Sequence, residues 1–309
     1  MSEVLPVDPA IGNTDKNQRP LASSSRAGRQ QRLPGIRHVI AVGSGKGGVG
    51  NSTVSVNLAC ALQQLGGRIG LVDADVLGPS ITGMLGLSTG QPLEVTGHRK
   101  IIPADRHNLK VISRGMLTKN DDPAILRAPI VSTYQNMFMA SVQWGNLDYL
   151  IVDLPPATGD TRLMLARNFS VSGAIIVTTP QDVSLEVARR ALRMLETVHV
   201  PLLGIIENMS TFTSRHYGQD TNVFRRGGGE RMSRQLGVPF LGAIPLDADI
   251  VRSGDEGRPI VLEQPKSQTA EAYLAIATEL AGRLEGGHSF EPLRARGGDR
   301  AAAQGAEDV

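Results

Sequence analysis

Apolar residues along this chain fall into short continuous runs separated by longer amphipathic stretches. The runs are His38–Val42, Ile69–Val72, Tyr149–Val152, Ala174–Val177 and Leu203–Ile206, with a shorter one at Gly242–Ile244. None alternates in the way a half-exposed strand does. Continuous apolar runs of this length predict strands buried on both faces. Helical periodicity occupies Ser52–Leu65, Leu185–Val198, Gly228–Leu236 and Thr269–Leu284. Strand–helix alternation of this kind predicts an α/β fold, a mostly parallel sheet with helices on both faces. Such sheets bind ligands at the carboxyl ends of their strands. A polar or turn-forming residue stands at each of those ends: Gly43, Asp73, Asp153, Thr178, the pair Glu207-Asn208, and Pro245.

The flanks carry no such pattern. Residues 1–35 are rich in Ser, Pro, Gln, Asn and Arg and read as a flexible basic arm, and residues 286–309 as a flexible tail. Residues 36–285 between them read as one domain. Composition narrows the function. A net charge of +2 with 4% aromatic residues predicts no nucleic-acid surface. The single cysteine, Cys60, can form neither an internal disulfide nor a four-thiolate metal site. No apolar run approaches the ~20 residues of a membrane helix, and the acidic residues Glu3 and Asp8 argue against a secretory signal. A cytoplasmic protein with no membrane partner is expected.

The richest local signal is Gly43–Thr53, which joins the first strand to the first helix. Glycines let the backbone approach an anion closely, and the helix N-terminus adds its positive dipole end. Gly43, Gly45 and Gly48 also satisfy a dinucleotide fingerprint, but that pattern is weak alone. The triphosphate pattern G-x-x-x-x-G-K-[ST] fits from Gly45 to Ser52 at every position except Asn51, which stands where lysine is expected. Gly45, Lys46, Gly47, Gly48, Val49, Gly50, Asn51, Ser52 and Thr53 are therefore the candidate phosphate-binding residues. Ser52 is placed to give its hydroxyl to Mg²⁺.

Lys46-Gly47-Gly48-Val49-Gly50 resembles the deviant Walker A loop of the MinD/ParA class, K-G-G-x-G-K-[ST]. Further motifs, in order, resemble the Mrp-type iron–sulfur cluster carrier family: Asp73-Ala74-Asp75 with Gly78-Pro79-Ser80, Asp148–Pro156, Thr179–Asp182, Glu207–Ser210 and Gly242–Asp247. The resemblance spans about residues 36–285. It implies a P-loop NTPase of the deviant Walker A type that binds ATP and Mg²⁺ as a homodimer, hydrolyses ATP and serves iron–sulfur apo-protein clients. By the same resemblance Lys46 reaches the phosphates of the opposite subunit. Asp75 positions the attacking water, Asp73 stands near Mg²⁺, and Asp153 is the Walker B acid. Asn208 and Pro245 contact the base.

The chain departs from that pattern at three places. Asn51 lacks the charge and reach of lysine, so ATP binding is expected to survive in weakened form, with hydrolysis slow or absent. The C-x-x-C positions that bridge a [4Fe-4S] cluster in the family are Ser214 and Tyr217 here, and neither offers a thiolate. Ala157 replaces a usual glycine. The family role is the leading expectation. The alternative is a non-enzymatic, nucleotide-gated scaffold or regulatory dimer that holds no cluster. A membrane-positioning ATPase is disfavoured because Glu271 and Glu279 outnumber Arg283 on the last helix, and a DNA-positioning one because the sequence shows no basic run.

Overall fold

The computed structural model describes residues 30–90, 94–97, 100–117, 128–155, 167–213, 220–221 and 227–286. Most of the basic arm, the tail after Gly286, Ala157, Ser214 and Tyr217 lie outside the described residues.

The strands are β1 (Ile36–Ser44), β2 (Ile69–Asp73), β3 (Ala104–Arg106), β4 (Leu109–Ile112), β5 (Leu147–Asp153), β6 (Gly173–Thr178), β7 (Leu202–Glu207), β8 (Phe212–Thr213), β9 (Asp220–Thr221) and β10 (Phe240–Ala243). The helices are α1 (Asn51–Gln64), α2 (Ile81–Met84), α3 (Ala128–Ala140), α4 (Asp182–Thr197), α5 (Gly228–Leu236), α6 (Ala248–Asp255), α7 (Ile260–Glu263) and α8 (Gln268–Glu285). Eight strands form one sheet in the order β10-β7-β6-β1-β5-β2-β4-β3. All its pairings are parallel except the β3–β4 edge.

The sheet is covered on both faces, which explains the continuous apolar runs. Val39 and Ala41 of β1 join a core with Leu185, Ala188 and Leu192 of α4, Met232 of α5 and Phe138 of α3. Ile40 and Val42 point the other way, into a core with Val54, Leu58 and Leu62 of α1 and Tyr273 and Ile276 of α8. Helix α4 shows how sequence selects its face. Leu185, Ala188, Leu192 and Leu195 are buried, while Glu186, Arg190 and Arg193 face solvent or the rim of the core. Helix α8 starts at Ser267, whose hydroxyl accepts from the Ala270 N–H.

Three features depart from the sequence expectation. The hairpin β3–β4 was not expected; its turn, His107-Asn108, places both residues at positive φ without any glycine. Helices α3 and α6 were also not expected. Contacts with the domain begin before residue 36, because Gln31 pairs with the chain at Asn168–Ser170 and Leu33 is buried in the core. The segment 30–35 is therefore part of the domain rather than of the arm.

Candidate functional site

Because β1, β5, β2, β6 and β7 run parallel, their carboxyl ends share one rim. Register sharpens this: Val42 pairs with Asp153, and Asp153 pairs with Asp73, across three adjacent strands. The chain turns from β1 into α1 directly above this row, through Gly45–Gly50.

That turn is held on two sides. Gly45 is buried against α4, where an added Cβ would lie 2.5 Å from the Val187 carbonyl carbon. Gly50 takes φ 83°, and an added Cβ there would lie 2.3 Å from Asn208 Nδ2. The Asn208 side chain is itself buried and donates from Nδ2 to the Val49 carbonyl at 2.8 Å. Asn208 thus braces the loop from the end of β7, a role that its sequence position did not announce. Helix α1 opens at Gly50 with no side-chain cap and no acidic residue in its first turn. An uncapped N-terminus in a glycine-lined turn is an anion site by construction. Lys46, Gly47 and Gly48 form the exposed tip.

Asn51 does not extend towards the tip. Its Nδ2 turns down onto the strand ends, 2.6 Å from Asp153 Oδ1, 3.1 Å from the Leu154 carbonyl and 3.2 Å from the Val42 carbonyl. Ser55, one turn along α1, donates to Asp153 Oδ1 at 2.8 Å. Burial pushes the Asp153 carboxyl up to about 6, against hydrogen bonds from Ser52, Ser55 and Asn51 and with a contribution from the Asp75 charge. Asp73 is raised well above the carboxylate range, first by burial and then by the Asp153 charge, with the Ser113 bond opposing. Asp73 Oδ2 accepts from Ser113 Oγ at 2.9 Å, and Ser113 accepts in turn from Thr82. Asp73 Oδ1 accepts from the Asp75 N–H at 3.2 Å, so the Asp73-Ala74-Asp75 turn folds over the first carboxylate. Asp75 is partly exposed and holds the Gly78 N–H at 3.2 Å.

Two buried carboxyls reluctant to ionise, next to an open helix N-terminus, make a place where a cation would relieve the charge. Among the described residues no group of three or more His, Cys, Asp or Glu side chains stands at metal-holding spacing. A magnesium ion bridging phosphates does not need one, since it keeps several waters and takes few protein ligands. The residues present fit a Mg²⁺–triphosphate: Ser52 at the helix start, with Asp153 and Asp73 behind it.

Sequence reasoning missed Ser55, Ser113 and Thr82, and the actual role of Glu207. That side chain is buried and accepts from the Gly227 and Gly229 N–H groups at 3.1 and 2.6 Å, capping α5. It faces a helix rather than the loop. Pro245 is buried beyond β10 on the same rim. Cys60 is fully buried in α1, and burial raises its thiol to about 12.

Comparison with known proteins places this geometry. The family model for the NUBPL iron-transfer P-loop NTPases of the ParA group matches residues 35–281. The chain belongs to this family. It is 44% identical to the iron–sulfur cluster carrier protein of Aquifex aeolicus over 257 residues, 83% of this chain and 70% of that one. Among solved structures it is similar to a nucleotide-binding protein of Archaeoglobus fulgidus in complex with ADP, with a TM-score of 0.67 and 35% identity over 78% of this chain and 94% of that one. The Pyrococcus furiosus cell-division ATPase MinD, at 21% identity over 79% and 98% of the two chains and a TM-score of 0.59, shares the fold. The fold class expected from the sequence, a mostly parallel α/β sheet of the P-loop NTPase type, is therefore the observed one, and so is the family. Among the described residues no helix is long and apolar enough to cross a membrane.

Proposed function

We propose that this family member binds ATP·Mg²⁺ at Gly45–Thr53 as a homodimer and acts in iron–sulfur cluster assembly, with little or no ATP turnover of its own. The observation that supports this most is the open α1 N-terminus beneath a braced glycine loop, set against the registered pair Asp73 and Asp153. The loop and helix end bind phosphate oxygens. Ser52 and Asp153 hold the Mg²⁺ side, and bound Mg²⁺ would neutralise charge on both carboxyls and phosphates. Asp75, partly exposed on the turn after β2, is the group free to orient a water. Asn208 Nδ2 is committed to Val49, which leaves its Oδ1, together with Pro245, for the base. Lys46 at the exposed tip is positioned to reach phosphates on a second subunit.

Two features limit the chemistry. Asn51 is spent on Asp153 and two carbonyls and brings no charge to the phosphates. A charge-assisted phosphate contact is worth about 1.5–3 kcal/mol in binding, and its loss in the transition state about 10²–10³ in rate. The cluster, as cargo, finds no ready thiolate: Ser214 and Tyr217 carry none, and Cys60 is sequestered. The family role is then exercised through nucleotide-dependent contact with partners rather than through this chain's own thiolates.

One preparation tests both points. Steady-state phosphate release is expected to rise by about 10²-fold in Asn51→Lys, and anaerobically purified native protein is expected to hold no stoichiometric iron. Native turnover equal to the variant's, or a full iron complement per dimer, would overturn the corresponding half of the reading.

A further inference from the structure

Met209 follows β7 with φ 56°, in the left-handed region that an ordinary side chain rarely adopts. It is held there from both sides. The Asn208 N–H donates to the Thr178 carbonyl at 2.8 Å and the Asn208 side chain donates to Val49, while the Ser210 N–H donates to the Ile244 carbonyl at 3.0 Å. This carries a half-buried thioether onto the phosphate loop: Met209 Cε lies 3.8 Å from where a Cβ on Gly50 would stand. Among the described residues Met209 packs into neither hydrophobic core, so core packing does not explain the strain. Strained backbone that its surroundings over-determine points to a use for the side chain it carries.

Strand order says what would lie against that side chain. The carboxylates Asp153, Asp73 and Asp75 stand at or just after the ends of β5 and β2, on one side of β1. They mark the Mg²⁺ and terminal-phosphate end of a bound triphosphate. Its nucleoside end is then directed to the other side, across β6 to β7 and β10. The side chains at those strand ends are apolar, Met209, Pro245 and Leu246, with Glu207 turned away onto α5. We propose that Met209 is a nucleobase-binding residue, its thioether lying against a purine ring and fixing the base beside Asn208 and Pro245. A thioether is polarizable, adapts its shape and makes favourable contacts with aromatic rings. The inference rests on the phosphate-loop reading above, and the experiment separates the two.

The test compares ATP·Mg²⁺ with magnesium tripolyphosphate, which has the phosphates and no base. In the full chain with isotope-labelled methionine methyls, the Met209 signal is identified by its loss in Met209→Leu. It is expected to shift under the purine ring current with ATP and to stay in place with saturating tripolyphosphate. Calorimetry supplies the affinities. Met209→Gly keeps the left-handed backbone and removes the thioether. It is expected to bind ATP about two- to tenfold more weakly than native protein, with tripolyphosphate affinity unchanged. Met209→Leu, which keeps an apolar surface, is expected to recover part of that loss. The same comparison in the Asn51→Lys background, which carries the motif's lysine, reads the base contact where native affinity is low. A methyl that shifts equally with both ligands, or undiminished ATP affinity in Met209→Gly, overturns the base contact and leaves the phosphate loop standing. So does an equal loss of ATP and tripolyphosphate affinity in Met209→Gly, since Met209 then only shapes the loop. Absence of binding of either ligand by native protein and Asn51→Lys alike overturns the phosphate-loop reading and the base contact with it.

Discussion

Asp153 shows how one buried residue links stability, metal and pH. Its carboxyl titrates near 6 in the folded chain, against about 4 for an unfolded aspartate. The folded state therefore binds more protons between those values. The contribution of Asp153 to stability is fully present below about pH 4 and is lost as pH rises through about 6. Without nucleotide, Asp153→Asn removes this loss. The variant is expected to be more stable than native protein at pH 7.5, by roughly 3 kcal/mol, with the gap about halved at pH 5 and closing towards pH 4. Thermal melts at both pH values measure it, and a gap of equal size at both would contradict the assignment. The same substitution is expected to weaken Mg²⁺-dependent ATP binding, since it deletes the charge that the ion would meet. Asn51 is the other decisive residue. Its identity was legible from the motif, but its contacts were not, because a side chain's choice between phosphates and strand ends depends on neighbours from β1 and β5.

At the scale of elements, the phosphate loop is shaped by what surrounds it as much as by its glycines. Gly45 exists where α4 approaches and Gly50 where Asn208 approaches. Asn208→Ala removes a buried hydrogen bond and frees the Val49 carbonyl, with an expected cost of about 1–2 kcal/mol in chemical denaturation and a several-fold loss of ATP affinity. A stability loss with unchanged ATP affinity would show that the brace serves packing alone. The long parallel strands were legible because burial on both faces leaves an unbroken apolar run, and their order then fixed the rim and the placement of Asp73 and Asp153. The edge hairpin was not legible. Lys110 interrupts the run in β4, and His107-Asn108 is not a usual hairpin dipeptide. Ser113, which follows β4 and holds Asp73, was lost with it. Helix α3 was hidden because Pro129 and the run Ile130-Val131 mimic strand signals, although proline is well suited to a helix's first turn. Glu207 looked like a rim ligand because the residue capped by its carboxylate lies 20 positions on, across a segment outside the described residues.

For the whole molecule, the two cores on opposite faces of one sheet fix the rim as a rigid edge, with α1 held between the sheet and α8. Lys46 is exposed at the tip of the loop on that edge, and Leu77 after β2 and Val183 at the start of α4 are exposed apolar side chains. On the function proposed above, a second copy docks across bound nucleotide, with each Lys46 serving the opposite site. On that proposal the molecule works by holding ATP rather than by spending it, with nucleotide setting the dimer. The claim on which everything else depends is that the loop still grips a triphosphate without its lysine. Titration of ATP·Mg²⁺ into the native chain, followed by calorimetry, tests it most directly. The account predicts a single saturable site per chain, abolished when Mg²⁺ is withdrawn and weaker than in Asn51→Lys. Saturable binding by Asn51→Lys with none by the native chain would contradict it.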